Sequence, residues 1–144
     1  MTPTDRTLLA RLAEALEPRG EILEAYLFGS TATGSAQAHS DLDVAVYLAD
    51  PRPPASPFGY TADLAALLMH ALETPRVDVV VLNEAPPLLY HRVLRDGERI
   101  LSRDLRATTT RAGQALSMYC DYVVQLAKID AAHAARIDAG RFGR

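Results

Sequence analysis

The stretch Leu27–Val46, LFGSTATGSAQAHSDLDVAV, contains the features that decide the fold. An apolar run ends in the pair Gly29-Ser30, and after ten intervening residues Asp41 and Asp43 stand inside a second apolar run. Side chains alternate between the two faces of a strand, so the two aspartates are predicted to share one face. The stretch therefore predicts a strand that ends in a glycine turn, followed by a strand with one acidic face.

A third carboxylate follows in a later predicted strand. The segment 76–83, RVDVVVLN, has the composition of a strand and carries Asp78. On a neighbouring strand, Asp78 can lie within a few ångströms of Asp41 and Asp43. Carboxylates at such distances repel each other, and the pKa of at least one rises unless a cation lies between them. Oxygen ligands without a histidine or cysteine cluster favour Mg²⁺ or Mn²⁺, which bind through a few carboxylates and the phosphates of a substrate. Asp41, Asp43 and Asp78 are therefore predicted to be metal ligands.

The Gly29-Ser30 turn supplies a complementary site for an anion. Glycine lets the backbone approach a phosphate closely, and the Ser30 hydroxyl and the amides that follow can donate hydrogen bonds to it. A phosphate at the turn beside a metal at the aspartates suits displacement at a phosphorus atom. The pattern predicts nucleotidyl transfer, with Asp41, Asp43 and Asp78 as the catalytic residues.

Length and composition limit the classes of protein that fit. The chain has 144 residues, a net charge of -3 and 49% hydrophobic residues, which favours a single folded domain over residues 1–144. This charge gives no overall basic field, so no direct nucleic-acid partner is expected. The single cysteine, Cys120, excludes an internal disulfide and fits a cytoplasmic protein. No apolar run is long enough to cross a membrane, so no membrane association is expected.

The apolar periodicity predicts the element order α-β-(turn)-β-α-β-α-β-α. This order indicates an α/β (α+β) fold in which helices flank a small mixed β-sheet. A core over about 4–103 is followed by a long C-terminal helix over about 104–138. Apolar residues of that helix, including Leu116, Val123 and Leu126, form a stripe that fits either the core or a partner surface, and the core is the favoured interpretation.

The spacing Gly29-Ser30, ten residues, Asp41-x-Asp43, with a later strand aspartate at Asp78, resembles the signature of the nucleotidyltransferases of the DNA polymerase β superfamily. Within that superfamily the chain is similar to the minimal nucleotidyltransferases. It looks most like the MntA-type antitoxins that are paired with HEPN-domain toxins. The resemblance covers nearly the whole chain and implies a polymerase β-like core.

The resemblance also implies a function and a set of roles. It implies an antitoxin that uses ATP and Mg²⁺, or Mn²⁺, to transfer AMP to a tyrosine hydroxyl of a HEPN ribonuclease toxin and so silences it. By the same resemblance, Gly29 shapes the turn, Ser30 holds the triphosphate, and Asp41 and Asp43 hold the metals. Asp78 would be the third ligand and the base. A hetero-oligomer with the toxin is expected.

One departure from the family pattern concerns the residues after the Gly-Ser pair. Many relatives carry basic residues there, as in GSRARG, whereas this chain has Thr31 and Thr33. A cation for the phosphates is therefore either missing or supplied from elsewhere. Arg76, Arg92 and Arg95 are the candidates.

Two other functions stay open at this point. A nucleotidyltransferase that modifies a small molecule such as an aminoglycoside would use the same chemistry, although such enzymes resemble this core with an added substrate-binding domain. A non-catalytic antitoxin would neutralise its toxin by binding alone, although three intact aspartates favour catalysis. A neighbouring gene for a small helical ribonuclease would favour either antitoxin function over the small-molecule enzyme.

Overall fold

The computed structural model describes residues 3–29, 41–53 and 55–138. Its helices and strands follow the predicted order, with one short 3₁₀ helix added after the third strand. They are α1 (Pro3–Leu16), β1 (Ile22–Phe28), β2 (Leu42–Leu48), α2 (Tyr60–Leu72), β3 (Val77–Val81), the 3₁₀ helix (Leu82–Glu84), α3 (Pro87–Asp96), β4 (Glu98–Ser102) and α4 (Leu105–Asp138). The strand predicted over 76–83 is thus shorter than expected, because its last residues turn into the 3₁₀ helix.

The four strands form one sheet in the order β3-β2-β1-β4. β1 is antiparallel to both β2 and β4, whereas β2 and β3 are parallel. A parallel pair needs a crossover connection, and α2 lies within the segment that joins these two strands. The mixed sheet and its flanking helices confirm the predicted fold class.

One face of the sheet packs on α1 and α2. The apolar residues at helical spacing on these two helices meet alternate residues of the strands. The buried cluster includes Leu12, Leu16, Val44, Val46, Leu64 and Leu68. Because neighbouring strand residues point to opposite faces, Asp43 and Ala45 lie on the other side of β2.

The opposite face of the sheet carries a smaller apolar cluster under α3. It consists of Tyr26, Phe28, Ala45, Leu82 and Val93, with partly buried residues around them. α3 begins with a proline, whose missing N–H costs no hydrogen bond because the first N–H groups of a helix have no partner within it. The helix ends before Gly97. Since Asp43 precedes Ala45 by two residues, Asp43 lies on this second face, beside the apolar cluster.

A buried ion pair joins this second face to α4. The Glu24 side chain is 0% exposed, and its Oε1 accepts a hydrogen bond of 2.5 Å from Nε of Arg111. Its Oε2 accepts a 2.6 Å bond from the Tyr26 hydroxyl, and burial together with this bond raises the pKa of Tyr26. The Arg111 guanidinium also lies 4.8 Å from the centre of the Tyr47 ring, within cation–π range. These contacts fix the start of α4 against β1 and β2.

The later turns of α4 extend away from this contact. Thr108 and Ala115 are buried, but the apolar stripe that follows is exposed: Leu116 by 52%, Val123 by 43% and Leu126 by 41%. The interpretation of that stripe as core is wrong, because these three side chains are exposed and α4 packs mainly on α3. Ile129 and Ile137 continue the exposed apolar surface.

Within the described ranges, none of the helices has both the length and the apolar character that crossing a bilayer requires. The treatment of residues 1–144 as one domain, with a core to about residue 103, stays a prediction.

Candidate active site

The three aspartates lie at the same end of the parallel strand pair. In the register of β2 and β3, Asp43 is the direct partner of Asp78, so the two side chains lie side by side on one face of the sheet. Asp41 immediately precedes β2, two residues before Asp43, and therefore belongs to the same face. The structure brings together the three carboxylates that the sequence singled out. Their roles in metal binding and catalysis stay predictions.

Gly29 lies at the same end of the sheet, directly after the neighbouring strand β1. It follows Phe28, the residue of β1 that pairs with Asp43, and its φ is 84°, a left-handed conformation that disfavours side chains. A Cβ atom at this position would collide with the Asp43 carboxylate. Gly29 is therefore needed both for the turn and for the space that the Asp43 side chain occupies.

Gly29→Ala is expected to damage this site and to destabilise the protein. The strained backbone alone costs about 1–2 kcal/mol, and the collision forces the Asp43 carboxylate to move. Chemical denaturation will measure the stability loss, and divalent-metal titration will measure the damage to the site. Gly113→Ala on α4 is the control, because a Cβ there meets nothing within 4 Å. Equal stability and metal affinity in both variants would contradict this role of Gly29.

The electrostatic environment of Asp43 is unfavourable for its charge. Burial raises the pKa of Asp43, and the negative charges of Asp78 and Asp41 raise it further. This is the effect expected where carboxylates crowd together without a compensating cation. A divalent ion between them would remove the cause, so the donor set fits a hard metal ion of the Mg²⁺ class.

The raised pKa of Asp43 predicts a pH dependence of stability in metal-free buffer. The folded state binds the Asp43 proton more tightly than the unfolded state, so stability falls as pH rises from about 3.9 through the folded pKa, and the whole penalty is present above it. Asp43→Asn should therefore be more stable than the parent at neutral pH, by about 0.2–1 kcal/mol. The difference should shrink toward pH 4.

Urea unfolding at several pH values, in the presence of a chelator, measures this difference. Excess Mg²⁺ should then stabilise the parent more than Asp43→Asn, because only an ion that binds the folded state adds stability. A parent protein that is more stable than Asp43→Asn at neutral pH without metal would contradict the electrostatic argument.

Arg76 forms an ion pair with one of these aspartates. Its Nε lies 3.5 Å from Oδ2 of Asp41, and its side chain is 70% exposed. The contact arises from the strand register: the Leu42 amide donates to the Arg76 carbonyl at 3.2 Å, which sets Arg76 beside Asp41 just before both strands begin. Arg76 was one of three candidate phosphate-binding cations in the sequence, and nothing in the sequence favoured it over Arg92 or Arg95.

The other predicted residues fall elsewhere. Ser30, Thr31 and Thr33 lie outside the described residues, so the predicted role of Ser30 stays a prediction. Arg95 on α3 is paired with Asp96 through two hydrogen bonds of 2.9 Å. Arg92 is an exposed residue of the same helix.

Among the described His, Cys, Asp and Glu residues, no three side chains are arranged so that they could together hold a metal ion. Asp43 and Asp78 are paired by the strand register, while Asp41 contacts Arg76. The structure thus shows a carboxylate pair and a third carboxylate close by that is engaged with a guanidinium group. These carboxylates provide the oxygen donors that a hard cation prefers, and Arg76 is a countercharge to Asp41.

Comparisons with known proteins agree with this geometry. The profile of the family described as "Polymerase beta, Nucleotidyltransferase" matches residues 10–106, more than half of the chain. The chain is similar to the crystal structure of a toxin-antitoxin with AMP-PNP, with a TM-score of 0.70 and 27% identity over 87% of this chain and 98% of that one. It is also similar to a structure of tri-AMPylated Shewanella oneidensis HEPN toxin in complex with MNT antitoxin, with a TM-score of 0.66 and 25% identity over 89% and 98% of the two chains. No curated protein matches the chain.

Proposed function

We propose that this chain, which belongs to the polymerase β nucleotidyltransferase family, is an antitoxin that transfers AMP from ATP to a tyrosine hydroxyl of a HEPN-type toxin. The observation that carries the proposal is the register that sets Asp43 beside Asp78, with Asp41 two residues away on the same face. Two similar solved structures support the nucleotide and the toxin in this proposal, since one contains AMP-PNP and the other a tri-AMPylated HEPN toxin.

The proposed reaction joins the acceptor oxygen to the α-phosphorus of ATP. The tyrosine hydroxyl attacks this phosphorus, the bond to the bridging oxygen of the β-phosphate breaks, and pyrophosphate leaves. Free tyrosine has a pKa of about 10, so its proton must be removed as the bond forms. Asp78 is the proposed base, because it is exposed and lies beside Asp43, where a side chain of a partner protein can reach it.

The carboxylates of Asp41, Asp43 and Asp78 would hold Mg²⁺, or Mn²⁺ in its place. When bound, such an ion supplies charge stabilisation to the phosphate oxygens. Gly29 keeps the space in which the Asp43 carboxylate lies, and the amides that follow it are the proposed contacts for the triphosphate.

A protein acceptor suits the surface of this chain better than a small molecule does. The second half of α4 exposes large apolar side chains, among them Val124 and Ile129, which are 54% and 58% exposed. Apolar surface of this kind is typical of protein-binding sites. We therefore include in the proposal a hetero-oligomer of this chain with its toxin.

The test is the ribonuclease activity of a candidate HEPN-type toxin taken from a neighbouring gene. After incubation with this chain, ATP and Mg²⁺, followed by removal of the antitoxin under dissociating conditions and refolding, the toxin should stay inactive. Peptide mass spectrometry should locate AMP on a tyrosine. If the toxin regained full activity after separation whether or not ATP had been present, the protein would act by binding alone.

A further inference from the structure

Arg76 has an unusual position for an exposed arginine. It immediately precedes β3, and its guanidinium contacts the Asp41 carboxylate at 3.5 Å. With 70% of its side chain exposed, compared with 37% for Asp41, Arg76 is the freer partner of the pair. An exposed pair of this kind is held weakly, so the guanidinium can leave without disturbing the fold.

Arg76 and a divalent cation would compete for the Asp41 carboxylate. A metal ion at Asp41 takes up the oxygen that the guanidinium now contacts, and its double positive charge repels the arginine. Metal binding at Asp41 would therefore release the Arg76 side chain. A guanidinium presents N–H donors in a planar fork that matches two phosphate oxygens, so its natural next partner is the phosphate chain of a nucleotide.

We propose that Arg76 is an exchangeable countercharge that pairs with Asp41 in the absence of metal and contacts the phosphates of the nucleotide once metal is bound. This inference rests on the proposed function for the presence of a nucleotide. The sequence supports it, because Thr31 and Thr33 provide no cation after the Gly-Ser pair. Arg95 is held by Asp96 on α3, whereas Arg76 already contacts a residue of the proposed site.

The proposal predicts effects of opposite sign on two binding reactions. Without nucleotide, Arg76→Gln should bind Mn²⁺ up to about fivefold more tightly than the parent, because the competing cation is gone. At saturating Mn²⁺, the same variant should bind a non-hydrolysable ATP analogue about tenfold or more weakly, because a charge-assisted hydrogen bond is lost. A side chain with only a structural role would weaken both reactions or neither.

Isothermal titration of the parent, Arg76→Gln and Arg76→Lys measures both constants without any toxin. Arg76→Lys keeps the charge, so it should bind Mn²⁺ like the parent and recover part of the affinity for the analogue. Arg106→Gln, an exposed change on α4 outside the set of candidate phosphate cations, is the control and should alter neither constant. Thermal unfolding will confirm that all variants are folded.

The outcomes separate this inference from the proposed function. Opposite shifts in the two constants would support the exchange even if the protein transferred no AMP to a toxin. Unchanged Mn²⁺ affinity in Arg76→Gln, or unchanged affinity for the analogue, would overturn the exchange even if AMP transfer were observed. A parent protein that binds no nucleotide at all would overturn both.

Discussion

Asp78→Asn is expected to slow AMP transfer to the toxin by about 10²–10⁴-fold, the usual contribution of a positioned general base. The substitution keeps the shape of the side chain and removes its ability to accept the tyrosine proton. Single-turnover transfer to the toxin, followed by intact mass against time, measures the effect.

Two further measurements separate this loss from damage to the fold. Asp78→Asn should be at least as stable as the parent without metal, since one of two adjacent like charges is removed. Glu14→Gln, an exposed change on α1, should retain the parent rate. If Asp78→Asn transferred AMP as fast as the parent, Asp78 would not be the base.

Arg111→Met is expected to lower the free energy of unfolding by about 3–5 kcal/mol. Glu24 is 0% exposed, and Arg111 is its only charged partner within the described residues. Removal of the guanidinium leaves a carboxylate inside the protein without its counterion, which is far more costly than the loss of an exposed pair. Urea unfolding followed by circular dichroism measures the change.

Arg106→Met is the matched control, because it makes the same change at an exposed position of the same helix. The double variant Glu24→Gln, Arg111→Met should recover part of the loss, because it removes the unpaired buried charge while the amide oxygen still accepts from Tyr26. A loss in Arg111→Met no greater than that in Arg106→Met would show that the buried pair contributes little.

The order of helices and strands was predictable because the apolar patterns are strong and local. The alternation in β2 and the helical spacing in α1 are properties of short segments, and proline or glycine marks the ends of α1 and α3. The position of the second half of α4 was not predictable in this way. An apolar stripe on a helix indicates that this face is buried against another surface. It does not indicate whether that surface belongs to the same chain or to a partner.

In the candidate site too, some features could be predicted from the sequence and others depend on how the strands pair. The spacing of Gly29, Asp41 and Asp43 and the later strand aspartate Asp78 are visible in the sequence, and the parallel register shows that Asp78 lies beside Asp43. The collision that excludes a side chain at Gly29 depends on the pairing of β1 with β2 and could not be derived from spacing.

Two ion pairs were also missed because their partners are distant in sequence. Arg76 meets Asp41 only because β3 lies parallel to β2. Glu24 and Arg111 are 87 residues apart, and a single glutamate in an apolar strand gives no sign of its partner. A buried charge needs a counterion somewhere in the fold, so the position of Glu24 in a strongly apolar strand was the only available signal.

The most direct test of AMP transfer is the intact mass of a candidate HEPN-type toxin taken from a neighbouring gene. The toxin is incubated with ATP, Mg²⁺ and either the parent or the double variant Asp41→Asn, Asp43→Asn. The parent should add whole AMP units to the toxin, and the double variant should add none because its proposed metal ligands are gone. A toxin of unchanged mass that binds both proteins tightly would mean that the aspartates do no chemistry and that this protein neutralises by binding.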